Sequence, residues 1–118
     1  MYSAKLLDYF HNPRHAGEIE NATAAVEASN PVCGDLMKLW VVVRDGQIVE
    51  ARFKVAGCVP AVACGSWLAE HITGRLTSEL SPLQPGEIES ALHGLPAASR
   101  HAALLAGDTL KKLLEEIG

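Results

Sequence analysis

Residues 35–44, DLMKLWVVVR, followed by Asp45-Gly46 and then by residues 47–55, QIVEARFKV, form the stretch that decides the fold. The first run is rich in β-formers, Asp45-Gly46 offers the positive φ angles of a two-residue hairpin turn, and the second run returns. On the return strand Val49, Ala51, Phe53 and Val55 alternate with Ile48, Glu50, Arg52 and Lys54. The first set is expected to pack inward and the second to be largely wet. An antiparallel hairpin with one apolar face needs a helical layer over that face.

The flanking sequence supplies the helices. Ser3 can cap a first helix with Leu6, Leu7 and Phe10 as its apolar stripe, and Asn12-Pro13 stops it, because the residue before proline avoids the α region. Residues Ala22 to Ala28 alternate weakly and read as a modest edge strand. Beyond the hairpin, Ala61, Gly65, Leu68 and Ile72 fall on one helical stripe, and Gly74 stands where a helix ends. Ser81-Pro82, Pro85-Gly86 and Leu95-Pro96 then break the chain, leaving room for a short helix from Glu87 to His93. Ala102, Ala106, Leu110, Leu113 and Ile117 mark a final amphipathic helix. At 118 residues the whole chain, 1–118, is expected to be one domain, since either half would bury too little surface alone.

Composition narrows the function classes. Apolar residues make up 48% of the chain but aromatics only 5%, so the core is aliphatic and alanine-rich. The charge of −4 is mild and the ten basic residues are scattered, which leaves no electrostatic footprint for nucleic acid. No run approaches the roughly 18 apolar residues that span a bilayer, and MYSAKLLDYF at the N-terminus lacks the apolar core of a signal peptide. A cytoplasmic location without membrane attachment is therefore expected, where thiols act as ligands, nucleophiles or small hydrophobes more often than as disulfides.

Against that background the cysteines matter. Cys33 and Asp35 precede the hairpin, and residues two apart in an extended segment project to the same side. Cys58 follows the return strand, so antiparallel geometry puts it at the same end of the hairpin as Cys33. It also stands at the start of a helix, where the positive end of the dipole lowers a thiol pKa. His101 opens the last helix, and packing that helix across the sheet would bring its imidazole to the same place. Two thiolates, a carboxylate and an imidazole make a complete tetrahedral zinc set, or four terminal ligands for a two-iron cluster. The other reading of isolated cysteines is that of buried small hydrophobes, and the chain has no C-x-x-C signature. His11, His15, His71 and His93 have no partner at metal spacing. Cys64 lies about 240° around the helix from Cys58 and is expected to pack; the alternative, an auxiliary sulfur-accepting thiol, requires movement of the Cys58 loop.

Several separate stretches in order resemble the IscU/NifU N-terminal family of iron–sulfur cluster assembly scaffolds. They are Tyr2-Ser3, Asp8-Tyr9, Asn12-Pro13-Arg14, Cys33-Gly34-Asp35-Leu36-Met37-Lys38-Leu39, Ala51-Arg52-Phe53-Lys54 and Gly57-Cys58. The resemblance implies an α+β fold, a small antiparallel three-stranded sheet with helices packed mainly on one face, in agreement with the elements read above. It further implies a non-enzymatic scaffold that receives sulfur from a cysteine desulfurase, takes up iron, and holds a labile 2Fe-2S cluster on Cys33, Asp35, Cys58 and His101. The cluster then passes to acceptor or carrier proteins. A monomer or weak homo-oligomer is expected. The interval from Cys58 to His101 fits the shorter IscU-like form rather than the zinc-dependent SufU type.

Two departures qualify what the resemblance carries over. Where the family reads His-Cys at the start of the last helix, this chain reads His101-Ala102, so the third thiol is missing. Where many members carry a Leu-Pro-Pro-Val-Lys chaperone-recognition motif, this chain reads Leu95-Pro96-Ala97-Ala98-Ser99, so an Hsp70-type chaperone is not carried over as a partner. The rival readings are a module holding zinc through the same four residues, and an adaptor that binds the desulfurase without building a cluster.

Overall fold

A computed structural model of the chain describes residues 1–31 and 34–118. The hairpin is present: β2 (Leu36–Arg44) pairs antiparallel with β3 (Gln47–Ala56), and Asp45 and Gly46 turn at φ 53° and 75°. β1 (Ala24–Ser29) pairs antiparallel with the other edge of β2, giving a three-stranded sheet in the order β1-β2-β3.

One register detail differs from the expected alternation. Val42 pairs with Glu50 but Val43 pairs with Ile48, so Val49 is an extra residue on β3. Such a bulge reverses the faces of everything beyond it. Ala51 and Phe53 point inward as expected, but next to the turn it is Ile48 that is fully buried, while Val49 is 42% exposed. Strict alternation therefore fails at the bulge, and Ile48 and Val49 exchange the faces that it predicts.

The inner face of the sheet, built from Ala24, Ala28, Met37, Leu39, Val41, Ile48, Ala51 and Phe53, is covered by two helices. The helix α2 (Val59–Ile72) lies against β3, and α4 (Arg100–Ile117) crosses β1 and β2. Two shorter helices complete the layer, α1 (Ala4–His11) on α2 and α3 (Pro85–Ala91) on α4. The helix α3 begins two residues before the expected Glu87, because Pro85 needs no amide partner in a first helical turn and Glu87 Oε2 accepts from the Gln84 amide at 2.6 Å.

Three features lock the layers together. The Ser3 hydroxyl accepts the Leu6 amide at 3.0 Å as the α1 N-cap and donates to the Leu92 carbonyl at 2.5 Å. Tyr9 donates its hydroxyl to Glu70 of α2 at 2.5 Å, while Arg14 pairs with Asp8 at 2.7 Å and lies over the Tyr9 ring. The free edge of β3 is covered at both ends, by Gly17 and His15 bonding to Phe53 and by Gly74 and Arg75 bonding to Ile48. No helix of the described residues is long and apolar enough to cross a membrane.

Candidate metal centre

Three of the four expected site residues meet at one end of the sheet. Asp35 follows Gly34 (φ 74°) immediately before β2, and its backbone carbonyl accepts from the Asn30 amide at 2.9 Å. Cys58 is the N-cap of α2, two residues beyond the end of β3. His101 lies in the first turn of α4. The Cys58 thiol donates to Asp35 Oδ2 at 3.3 Å, His101 Nε2 stands 3.5 Å from the same oxygen, and Sγ to Nε2 is 3.7 Å. Cys33 lies outside the described residues.

These separations can be compared with what one ion would require. Metal–ligand bonds of about 2.0–2.3 Å to oxygen, nitrogen and sulfur place tetrahedrally arranged donor atoms about 3.3–3.7 Å apart. The three observed distances fall in that range, so the donors could close on a single ion with little rearrangement. The set is chemically mixed: one soft sulfur, one borderline nitrogen and one hard oxygen, a combination suited to zinc or iron rather than magnesium or calcium. The Asp35 side chain is only 9% exposed and that of His101 24% exposed, so the site is recessed yet open on its imidazole side.

The thiol behaves differently from the sequence-based expectation. Burial pushes the Cys58 pKa up, and the Asp35 carboxylate beside it pushes in the same direction. The Ala61 backbone amide, in the first turn of α2, acts the other way as a helix N-terminus should, but it is outweighed. Without a cation Cys58 is therefore a thiol, and uptake of a metal ion must displace its proton. The Ala61 amide has no signal in the sequence, because a backbone group looks the same at every position.

The remaining candidates fall away from the centre. Cys64 is fully buried in α2 and burial raises its pKa to about 12, which makes it an inert packing group at neutral pH, as expected. His71 stacks on Trp67 with ring centroids 4.7 Å apart. His11 and His93 are exposed. Ala102, next to His101, is fully buried and offers no donor. Leu95, in the segment leading to α4, is buried too, and Ala97–Ser99 forms a short 3₁₀ turn into the helix that carries His101.

Comparison with known proteins places these features in context. The family described as NifU-like N terminal domain matches residues 1–116. An iron-sulfur cluster assembly scaffold protein, IscU 1 of Archaeoglobus fulgidus, is 38% identical over 114 residues, covering 97% of this chain and 74% of that protein. The iron-sulfur cluster assembly scaffold protein IscU of Escherichia coli is 35% identical over 119 residues, covering 98% of this chain and 92% of that one. Among solved structures, a nitrogen-fixing NifU-like protein (N-terminal) from Brucella abortus superposes with a TM-score of 0.77, covering 98% of this chain and 92% of that chain. At 19% identity that likeness concerns the fold alone.

Proposed function

The chain belongs to the NifU-like N-terminal domain family, and from that premise we propose that it is an iron–sulfur cluster assembly scaffold whose working site is Asp35, Cys58 and His101 together with Cys33. The observation that carries this reading is the convergence of a carboxylate, a thiol and an imidazole, all within 4.8 Å of one another, from the ends of three different elements. The cargo is a two-iron, two-sulfide cluster, assembled from iron and from persulfide sulfur that a cysteine desulfurase supplies and an external electron donor reduces to sulfide, and delivered to acceptor or carrier proteins. The scaffold acts by binding and release, in the cytoplasm, and needs no turnover chemistry of its own.

The residues divide the work by their chemistry. Cys58 supplies the soft donor that holds iron, and as a half-buried thiol at the N-cap it is the acceptor for incoming sulfur in a chain where position 102 carries no thiol. Its proton has a partner already in place, since the Sγ–H is directed at Asp35 Oδ2. Asp35 and His101 bind iron more weakly than a thiolate does, so cargo held partly by oxygen and nitrogen exchanges readily, as a donor requires.

The test is reconstitution without oxygen, with ferrous iron, cysteine, a desulfurase and a thiol reductant, followed by visible absorption and by iron and acid-labile sulfide analysis. Stoichiometric iron and sulfide with charge-transfer bands, both lost in Cys58→Ser, are expected. Tightly held zinc with no sulfide under the same conditions would overturn the proposal.

A further inference from the structure

The register of the hairpin brings one more residue to the site. Leu36 pairs with Ala56, so one step further along the ladder Gly57 stands opposite Asp35. Directly opposed residues in an antiparallel pair hold their Cβ atoms about 4.5–5.5 Å apart. A Cβ built on Gly57 would lie only 3.1 Å from the Asp35 Cβ, and 2.7 Å from both its Cγ and its Oδ1. The Asp35 side chain therefore leans across the glycine, through the space that any other residue would fill, to reach Cys58 and His101.

Backbone conformation gives no competing reason for this glycine. Gly34, Gly46 and Gly74 adopt positive φ angles and have open space where a Cβ would go, whereas Gly57 is outside that region and lacks the space. Nor is Gly57 buried by the core; its surface is exposed, and an exposed position ordinarily accepts alanine. The carboxylate has little freedom to yield, because Asp35 is 7% exposed and engages both Cys58 and His101.

We infer that Gly57 is the positioning residue of the site: by having no side chain it lets the Asp35 carboxylate lie across it against Cys58 Sγ and His101 Nε2, and any larger residue there detaches Asp35 from the other two donors. This deepens the scaffold reading, and its metal-binding consequence rests on that reading, but the placement of Asp35 does not.

A double-mutant cycle of Gly57→Ala and Asp35→Ala separates the two. In the metal-free protein, the His101 ring resonances, followed by long-range proton–nitrogen NMR, are expected to move in Gly57→Ala as they do in Asp35→Ala, with no further change in the double variant. Wild-type resonances in Gly57→Ala would overturn the inference. In cobalt(II) titrations, the two single variants are expected to lose a similar factor in affinity, about 10–100-fold, and the double variant no more than either. Additive losses would also overturn it. A wild-type cobalt spectrum that survives Cys58→Ser would refute the metal reading instead, leaving the metal-free resonances to judge Gly57. Should Gly57→Ala fail to fold, recovery of folding in the double variant supports the inference, and failure of both variants to fold refutes it.

Discussion

Substituting Gly65 by alanine probes the contact that seats α2 on the sheet. Alanine is the better helix former by about 1 kcal/mol, so an exposed helical site would gain stability from this change. At position 65, however, the added Cβ would meet Phe53 Cδ2 at 2.7 Å, Phe53 Cε2 at 3.0 Å and Val55 Cγ2 at 3.1 Å. Carbon atoms rest about 3.5–4.0 Å apart, so the helix must lift from β3 by something like 0.5–1 Å. Phe53 is 3% exposed and cannot swing into solvent to relieve the contact. Overpacking of this kind costs about 1–3 kcal/mol, which leaves a net destabilisation of up to about 2 kcal/mol after the helix gain. In a chain of this size that lowers Tm by up to about 8 °C. Equilibrium urea unfolding followed by circular dichroism measures it, with Gly86→Ala as the control. Gly86 is an exposed residue of α3 with nothing within 4 Å of its Cβ position, so there the same substitution should raise stability by about 0.4–1 kcal/mol. If Gly65→Ala proved as stabilising as Gly86→Ala, the claim that β3 and α2 meet through the missing side chain would be wrong.

Two further predictions concern the latches of the N-terminal helix. Burial and the hydrogen bond to Glu70 raise the Tyr9 pKa to about 12 from 10.0. A raised folded pKa on a group that is neutral when protonated gives stability that is complete below pH 10 and lost as pH climbs towards 12. The loss should be no more than about 2–3 kcal/mol, and Tyr9→Phe should remove that part of the alkaline slope in a series of urea midpoints. Ser3→Ala removes both the α1 N-cap and the donor to the Leu92 carbonyl, and should cost about 1–2 kcal/mol; a neutral effect would show that α1 is held by its apolar face alone.

The hairpin, the stripe on α2 and the last amphipathic helix were legible because each is a local pattern: a turn dipeptide, a period of two, a period of about 3.6. The inversion of Ile48 and Val49 was not, since a bulge is settled by how β3 registers against β2 and not by either strand alone. The meeting of Asp35 and Cys58 followed from simple antiparallel geometry. The arrival of His101 depends instead on the direction in which α4 crosses β1 and β2, forty-odd residues after Cys58, which no local pattern encodes. The direction of the Cys58 pKa was misjudged for a related reason. A helix N-terminus can be read from sequence, but the burial and the carboxylate that outweigh it exist only once the chain has folded.

The placement of the donors bears on how such a site could both hold and release its cargo. Asp35, Cys58 and His101 stand at the beginnings of β2, α2 and α4, where side chains are fixed by elements that share one apolar core. Their separations are therefore set by the packing of sheet against helices, not by the local sequence around each donor. A change such as Gly65→Ala, lifting α2 from β3, acts on the centre through Cys58, which caps that helix about 10 Å along its axis from Gly65. Ala102 sharpens the point. With no thiol at that position, Cys58 is the one soft donor among the described residues of the centre, so its helix carries the strongest bond those residues would make. In such a centre the strongest donor stands at the start of α2, and the weaker donors stand just before the central strand β2 and in the first turn of α4. The seating of α2 on β3, where Gly65 meets Phe53, therefore helps to fix where that donor stands relative to the other two.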